Sequence, residues 1–166
     1  MALPPTKFMS SLHEKYSDDD TTKELFIQAD GLRDYPGFGD RHVLIYWYNN
    51  AAPSTPENNG QPAIQITQLT GQAGNYAYYA PVVHSVPPAV MAQHLQIFLG
   101  TLTRAQRDEM LALADAVQFN RKSTVNGCRV WTRDLLWAMV GADLITQEKF
   151  DEVDKKIPLV MRVPEA

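Results

Sequence analysis

Apolar and polar residues alternate through the first half of the chain in the manner of β-strands. Ile64 and Ile66, for example, alternate with Gln65 and Thr67, which places the two pairs on opposite faces of a strand. Clusters of glycine, proline and asparagine separate these segments and predict turns. The strands predicted in this way cover residues 24–28, 42–48, 63–70 and 75–83. Their order along the chain favours an antiparallel meander.

The spacing changes to a helical period in the second half. Thr103 and Gln106 form a capping box, and Thr146 is placed to cap a last amphipathic helix. The apolar stripes predict helices over residues 88–99, 104–118, 128–140 and 147–155. The chain is therefore expected to be an α+β protein, with a small antiparallel sheet followed by a helical half.

Length and charge distribution predict one domain. The 166 residues suit a single core. Residues 1–22 differ from the rest, and we expect them to form a loosely ordered N-terminal arm in which the acidic run 18–20 is a solvated loop. The domain itself is then residues 23–166, with an exposed loop over 49–62.

The composition excludes several classes of partner. Fifteen Lys and Arg against nineteen Asp and Glu give a net charge of −4, which argues against nucleic-acid binding. The sequence has no polybasic signal, no signal peptide and no run of eighteen apolar residues, so we expect a cytoplasmic protein without a membrane partner. The histidines and acidic residues lack the spacing of metal ligands. We expect neither a metal nor a cofactor.

Cys128 is the residue with the clearest chemical potential. It is the only cysteine, so it forms no internal disulfide, and it follows Asn126-Gly127 at the start of a predicted helix. The free amides and positive dipole of a helix start lower the pKa of a thiol. His42, at the start of the most hydrophobic strand, is the candidate base. The alternatives are a buried structural cysteine and a histidine bonded to a loop carbonyl.

Two short motifs resemble a known superfamily. His42-Val43-Leu44-Ile45-Tyr46 resembles the histidine strand of the NlpC-type papain-like proteins, and Asn126-Gly127-Cys128-Arg129-Val130-Trp131 is similar to their cysteine helix. The order of the two resembles the circularly permuted branch, which includes lecithin:retinol acyltransferase-like and PPPDE-type proteins. The Gly-Cys-Arg-x-Trp segment also resembles a group of small fungal proteins. The resemblance implies a permuted papain-like fold with Cys128 as nucleophile and His42 as base.

The resemblance also implies a third polar residue on a strand beside the histidine. Gln65 is the candidate, with Thr67 and Gln68 as rivals. Candidate substrate-binding residues are the aromatic side chains of the sheet and the residues around the cysteine, namely Trp47, Tyr78, Asn126 and Trp131.

Three functions are compatible with these features. The first is a cysteine-dependent hydrolase or acyltransferase acting on an amide, peptide or thioester of a small-molecule or peptide substrate. The second is a non-catalytic module that binds a small molecule or a protein on the same scaffold. The third is a biosynthetic cyclase or isomerase that works without a covalent step.

Overall fold

A computed structural model describes residues 12–32, 41–49 and 61–165. The strands are β1 (Lys23–Ala29), β2 (Val43–Tyr48), β3 (Ala63–Thr67), β4 (Leu69–Gln72), β5 (Asn75–Tyr78), β6 (Val82–Ser85) and β7 (Leu95–Leu102). The helices are α1 (Pro88–Met91), α2 (Arg104–Ala116), α3 (Cys128–Gly141) and α4 (Gln147–Lys156).

The predicted α+β class with an antiparallel sheet is confirmed. Five strands form one sheet in the order β6-β3-β2-β1-β7, and each neighbouring pair is antiparallel. β4 and β5 form a separate two-stranded sheet. The predicted strands 63–70 and 75–83 are each divided in two, because the chain leaves the large sheet after Thr67 and rejoins it at Val82.

The helix predicted over residues 88–99 is wrong. Only Pro88–Met91 is helical there, and Leu95–Leu102 is an edge strand paired with β1. Within this strand Ile97 and Leu99 are buried, whereas Phe98 between them is 43% exposed. The alternation of a strand thus sets their burial, although the same apolar residues also match a helical spacing.

The three longer helices begin where the sequence predicts. At α2, Thr103 Oγ1 accepts a hydrogen bond from the Gln106 amide at 3.2 Å, and Gln106 Oε1 accepts one from the Thr103 amide at 2.9 Å. This is the predicted capping box. At α4, Thr146 Oγ1 accepts from the Lys149 amide at 3.1 Å. Hydrogen bonds local in sequence therefore fix both helix starts.

Apolar side chains cover both faces of the large sheet. On one face Val43, Ile45 and Trp47 of β2 join the larger core cluster together with side chains of α2, α3 and α4. On the other face Leu44 and Tyr46 join a smaller cluster, to which α1 contributes Met91. We call these the helix face and the outer face. Successive strand residues point to opposite faces, so this assignment extends to the neighbouring strands.

The described part of the arm, residues 12–22, lies against the domain. The Leu12 amide donates to the Val83 carbonyl at 2.9 Å, and Asn49 Nδ2 donates to the Tyr16 carbonyl at 2.9 Å. The predictions for residues 1–11 and for the loop over 50–60 lie outside the described residues.

Candidate functional site

Cys128 is the first residue of α3, as predicted, and its thiol lies inside the protein. The side chain is 4% exposed and belongs to the larger core cluster. Its Sγ donates a hydrogen bond to the backbone carbonyl of Arg41 at 3.4 Å. A carbonyl oxygen only accepts hydrogen bonds, so this contact is one that a thiol makes and a thiolate would lose. This contact also places α3 beside the segment that leads into β2.

His42 is the residue next to that carbonyl, but its ring belongs to the outer face. Along β2 it has the same parity as Leu44 and Tyr46, which lie in the smaller cluster. Its Nε2 lies 2.6 Å from Oε1 of Gln68, within hydrogen-bond distance. The structure brings Cys128 to the backbone beside His42, whereas the two side chains follow opposite faces of the sheet.

The three candidates for the third polar residue are separated in the same way. Gln68 is the one that contacts His42. Gln65 and Thr67 are both 2% exposed and lie on the helix face, where Gln65 is opposite Trp47 across the β2–β3 ladder. Gln65 Oε1 accepts a hydrogen bond from Asn49 Nδ2 at 2.7 Å. The prediction of a Cys128–His42–Gln65 set therefore names three side chains that these contacts do not join.

Three of the predicted substrate-binding residues are aromatic side chains that pack in the core. Trp47 is fully buried and Trp131 is 1% exposed. The rings of Tyr78 and Trp131 lie 5.3 Å apart, centroid to centroid. Burial raises the pKa of Tyr78 to about 12, with a further contribution from the negative charge of Asp115. Their shared role in the structure is to pack the sheet against α3.

Asn126 holds the last described residues of the chain. Its Nδ2 donates to the Val163 carbonyl and its Oδ1 accepts from the Val163 amide, both at 2.9 Å. Ser123 Oγ accepts from the Asn126 amide and also contacts a carboxylate oxygen of Glu165 at 2.5 Å. The amide side chain thus pairs with the C-terminal segment as a strand would.

A cavity of about 440 Å³ lies between the arm, the sheet and α2. We call it the arm cavity. Residues from four parts of the fold line it, namely His13, Ser17, Asp18, Gln65, Ala80, Pro81, Arg104, Asp108 and Leu111. The three residues from α2 are spaced by four and three positions and so share one face of that helix. Of the predicted site residues, Gln65 alone is among those that line the arm cavity.

A buried ion pair fixes the inner wall of the arm cavity. Asp18 accepts two hydrogen bonds from the guanidinium of Arg107, each at 2.9 Å, and Lys23 Nζ lies 2.9 Å from Asp18 Oδ1. The side chain of Asp18 is 6% exposed and that of Arg107 is fully buried. Burial by itself would raise the pKa of Asp18, but the hydrogen bonds and charges of Arg107 and Lys23 outweigh it and hold the pKa below its usual value.

The expectation of a solvated acidic run is therefore wrong for Asp18 and right for Asp20, which is fully exposed. The sequence signal that could have identified the arm cavity is charge pairing across a long separation. An acidic run at 18–20 and two arginines, Arg104 and Arg107, on the first turn of a helix are complementary in charge. Neither group is informative without the other.

The described residues form neither a group of metal ligands nor a membrane-spanning helix. Within 12–32, 41–49 and 61–165, no three His, Cys, Asp or Glu side chains group in a way that could hold a metal ion. None of the helices formed by these residues has the length and apolar character needed to cross a membrane.

Comparison with known proteins gave no relative. No family model, no curated protein and no solved structure matches this chain. The permuted papain-like arrangement therefore stays a prediction from two short motifs.

Proposed function

We propose that this protein is a non-catalytic binding module that holds a small polar molecule in the arm cavity. The observation that carries the proposal is a cavity of about 440 Å³ whose lining includes Asp18 and Gln65, two polar side chains that hydrogen bonds to neighbouring side chains hold in place. Small-molecule sites occupy about 300–1,000 Å³ and combine apolar walls with a few oriented polar groups. Leu111 and Pro81 supply apolar wall, and Gln65, Arg104 and Asp108 supply polar groups.

Asp18 and Gln65, two of the polar groups that line the arm cavity, are pre-organised, which supports binding. Asp18 is fixed by Arg107, whose Nη1 also donates to the Leu102 carbonyl at 2.9 Å. Gln65 is fixed by Asn49, and Arg104 Nε donates to Asp108 at 3.1 Å. A ligand that meets side chains already ordered loses less conformational entropy on binding than one that must order them.

The contacts of Cys128 favour binding over thiol catalysis. Nucleophilic catalysis needs a thiol within reach of a base and of substrate. Here Sγ is buried and bonded to a backbone carbonyl, and the ring of His42 is bonded to Gln68 on the outer face. Acyl transfer by Cys128 and a cyclase or isomerase activity both stay predictions.

A cavity-blocking variant tests the proposed function. Ala80 lines the arm cavity and is exposed, so Ala80→Trp should fill the cavity without breaking a buried ion pair. Saturation-transfer NMR with a library of small polar fragments is the measurement. We expect fragments that bind the unaltered protein to lose their signal with Ala80→Trp, because the indole takes their space.

The matched control is Ala112→Trp, an exposed position on α2 that does not line the arm cavity. Fragments should bind this variant as they bind the unaltered protein. Fragments that still bind to Ala80→Trp, or a library in which nothing binds the unaltered protein, would contradict the proposal.

A further inference from the structure

The hydrogen bonds of Gln65 determine what it presents to the arm cavity. Its Oε1 accepts from Asn49 Nδ2 at 2.7 Å, and Asn49 Oδ1 in turn accepts from Lys23 Nζ at 3.4 Å. Lys23 is itself ion-paired with Asp18. A chain of hydrogen bonds thus runs from the buried ion pair through Lys23 and Asn49 to Gln65. Because each donor in this chain is known, the end of the Gln65 amide that faces Asn49 is its oxygen.

The other end of the Gln65 amide is a pair of N–H donors. No contact made by the described residues uses Gln65 Nε2, and Gln65 lines the arm cavity. Because Gln65 lines the arm cavity, a ligand there that supplies an acceptor would give these donors a partner. The matching group is an oxygen with lone pairs, such as a carbonyl.

The charges around the arm cavity are already paired. Asp18 faces Arg107 and Lys23, and Asp108 faces Arg104. A cationic ligand would compete with the buried Arg107 for Asp18, and an anionic ligand would meet the carboxylates of Asp18 and Asp108. Because the first breaks a buried ion pair and the second brings like charges together, an uncharged ligand is favoured.

We infer that the arm cavity selects an uncharged ligand bearing an amide or similar carbonyl oxygen, which accepts a hydrogen bond from Gln65 Nε2. The inference rests on the proposed function and adds the chemical class of the ligand. Asn49 is a positioning residue in this scheme, since it acts on the ligand only through Gln65.

Three isosteric probes separate charge from shape. Benzamide is neutral with a carbonyl acceptor, benzamidine is a cation with donors only, and benzoate is an anion. All three fit well within about 440 Å³. We expect benzamide to bind the unaltered protein most tightly in an NMR titration, and Gln65→Met, which removes both donors at similar size, to weaken benzamide binding roughly fivefold.

A second substitution reverses the chemistry. Gln65→Glu replaces the donors with a carboxylate, so the order of affinity should change from benzamide to benzamidine. The control is Gln93→Glu, which makes the same charge change at an exposed position that does not line the arm cavity and should leave the order unaltered. Circular dichroism establishes whether each variant is folded. If Gln65→Glu does not fold, the benzamide titration of Gln65→Met still tests the inference.

The outcomes distinguish this inference from the proposed function. If benzamidine or benzoate binds the unaltered protein best and Ala80→Trp abolishes that binding, the arm cavity is a binding site but the ligand class is wrong. If benzamide binds best and Gln65→Met binds it equally well, the assignment to Gln65 is wrong. If neither these probes nor the fragments bind, both proposals fail.

Discussion

The sulfur of Cys128 acts as a hydrogen-bond donor to the Arg41 carbonyl, and this constrains its reactivity at the scale of the single residue. The amides and dipole at the start of α3 favour a negative charge on the sulfur, whereas burial and the facing carbonyl favour the neutral thiol. Burial and the carbonyl act on the sulfur directly, since the side chain is 4% exposed and contacts that oxygen. A reagent can therefore reach the sulfur only when the protein opens locally.

Cys128 should react slowly with a disulfide reagent such as DTNB in the folded protein. We expect labelling to be slower by roughly two orders of magnitude than in guanidinium chloride, because the thiol is accessible only during opening. Stopped-flow absorbance measures both rates. A cysteine introduced by Val125→Cys in a Cys128→Ala background is the control, since Val125 is 54% exposed and should label fast.

The same measurement tests the thiol-enzyme prediction. His42→Ala should leave the labelling rate unchanged, because the His42 ring is bonded to Gln68. Fast labelling in the folded protein that slows in His42→Ala would show that the imidazole activates the sulfur. That result would favour the acyl-transfer hypothesis over the binding module.

At the scale of the element, the hairpin of β4 and β5 depends on a glycine. Gly71 has a φ of +99°, and a Cβ at this position would clash with the backbone carbonyl oxygen of Asn75. Gly74 has a φ of +88° with no atom within 4 Å of a Cβ built there. The two positions share the backbone strain and differ in the space around them.

Gly74→Ala should cost about 1 kcal/mol in the free energy of unfolding, from the positive φ alone. Gly71→Ala should cost at least about 2 kcal/mol, because the backbone of the hairpin has to move as well. Urea denaturation followed by circular dichroism gives both values. Equal costs at the two positions would contradict the close approach of Gly71 to Asn75.

The elements that could be predicted from sequence are those determined locally. The capping box at Thr103 and the cap at Thr146 depend on residues three apart, and both were predicted. Residues 95–99 of the strand Leu95–Leu102 were predicted as helix, because the pairing partner β1 lies some seventy residues earlier in the chain. Apolar spacing cannot distinguish the two when the deciding hydrogen bonds are that distant.

The candidate site divides in the same way. The start of α3 at Cys128 was predicted, because Asn126-Gly127 is a local turn signal. The arm cavity was not, because it is assembled from the arm, β3, the segment before β6 and α2. The buried pair of Asp18 and Arg107 holds the arm against α2 at this cavity.

At the scale of the whole molecule, the ion pair of Asp18 and Arg107 joins the segment before the strands to the helix that follows them. Asp18 lies ahead of the first strand, and Arg107 lies after the last. Because the pKa of Asp18 is held below its usual value in the folded state, the unfolded state binds more protons as the pH falls. The stabilisation is complete above the unfolded pKa, near 4, and is lost as the pH falls through the folded pKa.

Stability should therefore decline on acidification below about pH 4, and Asp18→Asn should make that decline shallower. The same variant should lose about 3 kcal/mol of unfolding free energy at neutral pH, since Arg107 is fully buried and would lose its carboxylate. Urea denaturation at a series of pH values measures both effects. Asp20→Asn, at a fully exposed position, is the control, and a stability curve for Asp18→Asn that superimposes on that of the unaltered protein would contradict the assignment.

The position of Asp18 also sets the limit of truncation. A chain shortened to begin at residue 23, where the charge pattern places the domain boundary, would lack the carboxylate that neutralises a wholly interior guanidinium. It would also lack the contacts of Leu12 with Val83 and of Tyr16 with Asn49. We therefore expect a chain that begins at residue 23 to unfold at a lower urea concentration than one that begins at Leu12, because only the longer chain keeps Asp18.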